Sequence, residues 1–222
     1  MATVESTRPR GIQRLAGLGG ILYVALFIGG AILMFSGTPD SDARPAKYIS
    51  FYGDSGHRDR ISVGWALVLL GVFFFVWFLS ALRQVVRAND PDGFLTTLVT
   101  LGGAVYAALA LAGASVWAAI ATMSDDTFRH QVFPEVIHAG SDAGYVLHAS
   151  GGIGAGTMMI AASLAASRAA LIPRWAGIVG IVFGVLGLAS IFFFPQALIA
   201  IWIVVAGVLV FRARTFSPRP GV

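Results

Sequence analysis

The chain has 222 residues, 57% of them hydrophobic and only 12% charged, with a formal net charge of +4 and no cysteine. A soluble domain carries about 25% charged residues, so half the usual charge is missing, as a lipid-facing surface allows. The missing cysteines exclude disulfides, thiolate metal sites and thiol catalysis. The basic balance does not point to nucleic acid, because no run of five basic residues occurs and the arginines flank apolar segments.

Residues 1–13 are polar and basic, with Arg8 and Arg10, and Arg14 follows. The apolar run from Leu15 to Phe35 exceeds the roughly 7–15 residues of a signal-peptide core. It can cross a hydrocarbon layer of about 30 Å at about 1.5 Å per residue and is expected to be a retained first span. Residues 37–60 form a polar join in which Pro45 predicts a short helix through Tyr52. Tyr48, Phe51 and Tyr52 then share one face, a stripe expected to rest at the lipid interface, with ligand contact as the alternative.

The second span is predicted over 61–86, ending at Arg83 and Arg87, and Asn89-Asp90-Pro91-Asp92-Gly93 reads as a turn. The third, over 94–122, is rich in small residues. Gly102, Gly103, Ala107, Ala110 and Ala114 give it a narrow surface suited to close contact inside a bundle. A second polar join covers 123–141. The fourth span is predicted over 142–167, the fifth over 175–192 and the sixth over 196–211, the last two divided by a tight turn at Phe193-Phe194-Pro195. Arg212, Arg214 and Arg219 follow.

The fold class expected is an all-α polytopic bundle of six spans over residues 1–222, with no soluble domain. With the N-terminus inside, the inner segments hold ten basic residues against three acids (+7), and the outer joins hold five against eight (−3). Positive charge collects on the cytoplasmic side, so both termini are expected in the cytoplasm and the chain in a bacterial inner membrane. Arg14-Leu-Ala-Gly-Leu-Gly-Gly-Ile-Leu is echoed by Arg174-Trp-Ala-Gly-Ile-Val-Gly-Ile-Val. These open spans one and five, which fits no three-plus-three duplication and reads as an interfacial arginine followed by small packing residues.

No Asp, Glu, Lys or Arg lies in the middle of a predicted span, which argues against proton relays, voltage sensors and ion-coupled carriers. His148 is the ionisable exception. With Gly152 and Gly156 at i+4 and i+8, it stands above a glycine groove that would admit a neighbouring helix, its imidazole bonding that helix's hydroxyl or carbonyl. The alternative is contact with a substrate, proton or quinone, and Asp142, Tyr145, His148 and Gly152 are the candidate ligand-binding residues. A bis-histidine haem would need a second intramembrane histidine, and His57, His130 and His138 all lie in the outer joins.

Pro134 suggests a helix start that places Glu135 and His138 at i, i+3. Two-metal carboxylate sites use that spacing twice, with two more carboxylates. A solvated acidic face is the plainer reading here, and a weak divalent-cation site at Glu135 and His138 the alternative. His148-Ala-Ser-Gly-Gly152 lacks the first glycine of a rhomboid protease nucleophile, and no later span supplies a histidine base. Residues two apart on a helix do not face each other, so His148 cannot serve Ser150. Gly-Gly-Ile-Gly-Ala-Gly (151–156) follows no strand and is not a dinucleotide loop.

Taken whole, the chain resembles uncharacterised six-span integral membrane proteins of high-GC, actinobacterial-type bacteria. The resemblance covers most of the length and rests on the Arg-x-Ala-Gly openings, Trp77-Phe-Leu-Ser-Ala-Leu-Arg83, and Asp142-Ala-Gly-Tyr-Val-Leu-His148. It implies the topology and carries no activity. The expected function is non-enzymatic and without a cofactor: an accessory subunit, or a binder of lipid or another apolar ligand. Its partners would be the bilayer and a protein partner or second copy within it. The alternatives are a transporter or channel for a neutral or hydrophobic solute with His148 lining the path, then an intramembrane redox or hydrolytic enzyme.

Overall fold

A computed structural model describes residues 10–40, 42–123, 133–192 and 194–212. Arg8, His130, Phe193, Arg214 and Arg219, named above, and Glu5, Asp125, Asp126 and Arg129, counted in the charge balance, lie outside the described residues. Seven helices follow one another: α1 (Arg10–Phe35), α2 (Pro45–Gly53), α3 (Ser55–Arg87), α4 (Phe94–Thr122), α5 (Pro134–Arg168), α6 (Arg174–Gly187) and α7 (Phe194–Arg212). Among the described residues there is no strand. Five helices, α1, α3, α4, α5 and α7, are long and apolar enough to cross a membrane.

Helix α1 starts at Arg10, ahead of the expected Leu15, and three further boundaries differ from the expected ones, each for a local reason. Helix α3 starts at Ser55 and not near 61, because the Asp54 carboxylate accepts the His57 N–H at 2.9 Å and caps the first turn. Helix α5 starts at Pro134, so the second half of the expected polar join is helical and continuous with the fourth span. Pro134 occupies the first turn, where its missing N–H costs nothing. Helix α6 has only 14 residues, about 21 Å at about 1.5 Å per residue, shorter than the expected fifth span. Beyond Gly187 the backbone bonds switch to i−3, with Leu188 to Val185, Ala189 to Leu186 and Ser190 to Gly187. The Ser190 hydroxyl also donates to the Gly187 carbonyl at 2.5 Å, satisfying an acceptor that a continuing helix would have used.

Glycine decides which helices touch. Four antiparallel pairs meet at reciprocal glycine contacts, where a Cβ on either partner would strike the other's carbonyl oxygen. For Gly30 and Gly64 (α1·α3) those distances would be 2.5 and 2.6 Å, and for Gly102 and Gly154 (α4·α5) 2.6 and 2.5 Å. For Gly156 and Gly184 (α5·α6) they would be 2.5 and 3.0 Å, and for Gly17 and Gly207 (α1·α7) 2.9 and 2.7 Å. Close backbone approach gives dispersion and weak Cα–H···O contacts where water-driven burial is absent. The two Arg-x-Ala-Gly openings serve this purpose: Gly17 admits α7, and Gly177 admits Ser163 and Ser167 of α5. Gly102, Gly103, Ala107, Ala110 and Ala114 of α4 are buried, as expected.

Two cores result. The central one joins Tyr23, Phe75, Phe78, Tyr106, Met158, Met159, Ile199 and Ile203. The other lies at the α2 end and contains Met34, Tyr48, Phe51, Tyr52, Ile61, Ile120 and Ile137. The aromatic stripe of α2 therefore faces the protein and not the lipid interface, because Asp54 alone separates α2 from α3 and folds the short helix back over the bundle end. Apolar side chains such as Phe73, Trp77, Ile153, Ile178 and Ile201 cover the outside, as contact with a bilayer requires.

The 88–93 turn also caps α4. The Asp90 carboxylate accepts the Thr96 N–H at 2.8 Å and its hydroxyl at 2.7 Å. Those two donors hold the carboxyl below the usual aspartate range, and Gly93 at φ +75° supplies the left-handed step into the helix.

Candidate functional site

At the α2 end the helices leave a cleft of about 240 Å³. Tyr48 and Tyr52 enter it from α2, Trp117 from α4, and Ile137, His138, Ser141 and Asp142 from the first turns of α5. Met34, Phe35, Thr38, Pro39 and Ile61 complete the wall. The Tyr48 hydroxyl donates to the Asp40 carbonyl at 2.6 Å, and the His138 ring meets the Tyr48 ring edge-on at 4.9 Å. Burial, and then the neighbouring Tyr48, push the Tyr52 phenol up, so it stays neutral.

Trp117 is the floor. Its Nε1–H donates to the Ser141 carbonyl at 3.1 Å, and its ring stands edge-on to Phe35 at 4.7 Å. Gly144 makes room for it: a Cβ there would lie 2.7 Å from the indole nitrogen. On its other side the indole meets the His148 ring at 6.2 Å.

His148 thus lies beneath the cleft and outside its wall, only 9% exposed. Its ring stacks on Phe27 of α1 at 5.3 Å and 20°. Gly113 lets the α4 backbone approach, since a Cβ there would sit 3.1 Å from that of His148. The polar neighbour of the imidazole is Gln196 of α7. Nδ1 of His148 and Nε2 of Gln196 are both buried without a hydrogen-bond partner. The hydrogen bond expected from the imidazole to a neighbouring helix goes to the Gln196 side chain, and Nδ1 takes no part in it. Deeper still, the Tyr23 hydroxyl donates to that of Tyr106 at 2.8 Å, and fully buried Phe75 packs against both rings.

The sequence-derived residues divide accordingly. Asp142 and His138 come together in the cleft, while Glu135 is exposed one turn away and outside its wall. Among the described residues no three His, Cys, Asp or Glu side chains gather as metal ligands would. Tyr145 donates its hydroxyl to the Ile191 carbonyl, beyond α6. Gly152 is a packing residue, close against Gly187 and Ser190, so the glycine groove does admit a helix, α6, while the contacts of His148 itself are with α1, α4 and α7. Trp117 and Gln196 were not singled out from the sequence. Gln196 carried the available signal, an amide just after Pro195 at the head of an apolar run.

A larger groove of about 340 Å³ lies between α1 and α3, lined by Ile12, Ala16, Val76, Trp77, Ser80, Ala81 and Gln84. Among the described residues its lining holds no ionisable side chain, and it opens beside exposed Trp77.

His148→Leu removes the unsatisfied Nδ1 but also the imidazole's hydrogen bond with Gln196, two effects of opposite sign. The expected result is a melting temperature close to the parent's. A loss above about 2 kcal/mol, beyond the roughly 1.7 kcal/mol maximum for a hydrogen bond within a membrane, would show that something occupies the Nδ1 side.

No protein-family model, curated protein or solved structure matches the chain.

Proposed function

We propose that the protein is a non-enzymatic membrane bundle that binds a small amphipathic molecule in the cleft at its α2 end. The observation that carries this reading is a cleft with aromatic walls and a few polar groups, floored by Trp117 above a filled core. Ligand pockets have this composition. The same floor argues against a transport path, since His148 lies below it and the Tyr23–Tyr106 bond with Phe75 fills the space beneath. The two unpartnered polar atoms of His148 and Gln196 favour transport as the second reading.

The cleft belongs on the outer face of a bacterial inner membrane, because its end carries the −3 joins and the opposite end the +7 segments. Six crossings place both termini inside. In support, α6 and the turn after it meet α5 from Ser167, against Gly177, to Tyr145, against Ile191. That stretch is about 33 Å of α5 at about 1.5 Å per residue, enough for a sixth crossing completed by residues 188–192. Reporter fusions after Val222 and within 88–93 are expected to read as cytoplasmic, and fusions within 40–58 as external. Opposite readings at the two termini would leave five crossings.

The test of binding is purification in mild detergent, with native mass spectrometry of retained small molecules. The parent should carry an adduct that Tyr48→Ala loses while remaining folded. Identical spectra would remove the cleft as a binding site.

A further inference from the structure

We infer that the cleft selects a small organic cation with an apolar body, held by the Asp142 carboxylate and the rings of Tyr48 and Trp117. This rests on the reading of the cleft as a ligand pocket. Both rings have already committed their polar handles to the backbone, the Tyr48 hydroxyl to the Asp40 carbonyl and the Trp117 N–H to the Ser141 carbonyl. What they offer an occupant is therefore the π-surface, which attracts cations through the ring quadrupole. An anion would find those donors spent.

Charge points the same way. Asp142 is the one carboxylate in the wall, and no Lys or Arg lines the cleft among the described residues. Nor does Asp142 have an ion-pair partner among them, the single pair being His57 with Asp54. Its carboxylate is exposed, and the described residues of the outer joins carry six acids against four basic residues, a field that concentrates cations near the mouth. Size sets the upper limit. At about 240 Å³ the cleft is below the roughly 300–1,000 Å³ of drug-sized pockets, which suits a single aromatic or branched alkyl group bearing an ammonium.

The experiment uses the full chain in detergent and two probes of equal shape, benzyltrimethylammonium and its neutral carbon isostere neopentylbenzene. Binding is measured by equilibrium dialysis against protein-free micelles. The parent is expected to bind the cation about tenfold more tightly than the isostere, or better, and Asp142→Asn to lose that preference while keeping its melting temperature. Equal binding of both probes to the parent overturns the cation assignment and leaves the ligand pocket standing. Binding of neither probe overturns both. The parent's own selectivity decides the matter even if Asp142→Asn fails to fold.

Discussion

Gly154→Leu is expected to be the most damaging single substitution in the bundle, abolishing recovery of folded protein or lowering stability by about 3 kcal/mol. A Cβ at Gly154 would lie 2.5 Å from the Gly102 oxygen, 2.7 Å from the Tyr106 nitrogen and 3.1 Å from the Val105 Cβ. Two of those three atoms are backbone, so no side chain can rotate away and α4 must move as a body. Overpacking commonly costs about 1–3 kcal/mol when neighbours can adjust, and this site belongs at the top of that range. Gly29→Leu is the control. It has no heavy atom within 4 Å of its Cβ position, and replacing a helical glycine gains up to about 1 kcal/mol. Thermal unfolding in mild detergent should therefore rank Gly154→Leu far below the parent and Gly29→Leu level with it or above. Equal melting temperatures for the two variants would remove glycine contact as the organising principle of the fold.

Trp117→Ala is expected to have the second largest effect, and on two properties together. Truncating a buried Trp costs about 3–5 kcal/mol. This indole is only partly buried, so about 2–3 kcal/mol is expected, including the bond to the Ser141 carbonyl. The cleft would also deepen until its floor is His148, which now meets the other side of the indole. Ligand selectivity should change with stability in this variant. Trp117→Phe, which keeps a ring without the N–H, should recover much of the stability. A Trp117→Ala protein as stable as the parent would mean that the indole supports neither wall nor floor.

The glycine-rich faces and most helix boundaries were legible in the sequence, because small residues and apolar runs state their own local role. The direction a face points was not. In a lipid-facing bundle, core and surface are equally apolar, so periodicity loses its contrast. Phe73, Phe74 and Phe75 are chemically identical neighbours, yet Phe75 is fully buried and Phe73 half exposed. The α2 stripe suffered the same ambiguity, reading as an interfacial belt when it packs inward. His148 stood out as the ionisable residue inside an apolar run, but its surroundings did not. Phe27, Trp117 and Gln196 come from three other helices, and nothing in the local pattern around His148 encodes which of them meet it. The cleft was hidden for a related reason. It forms only because α5 runs unbroken from Pro134 into the fourth span, carrying His138 and Asp142 up beside Tyr48, whereas the sequence suggested only a short helix start at Pro134 inside a polar join.

The most direct test of a cleft that opens on the outer face and closes at Trp117 uses the chain's lack of cysteine. Thr38→Cys places one thiol in the cleft wall and His148→Cys places one beneath the floor. Intact cells are treated with a membrane-impermeant maleimide, and labelling rates are compared. Thr38→Cys is expected to label promptly, and His148→Cys at least about 100-fold more slowly because reaction there needs a local opening. Adding Trp117→Ala to His148→Cys should restore fast labelling. Labelling of His148→Cys as fast as Thr38→Cys with Trp117 intact would contradict the closed floor and make the cleft the mouth of a path.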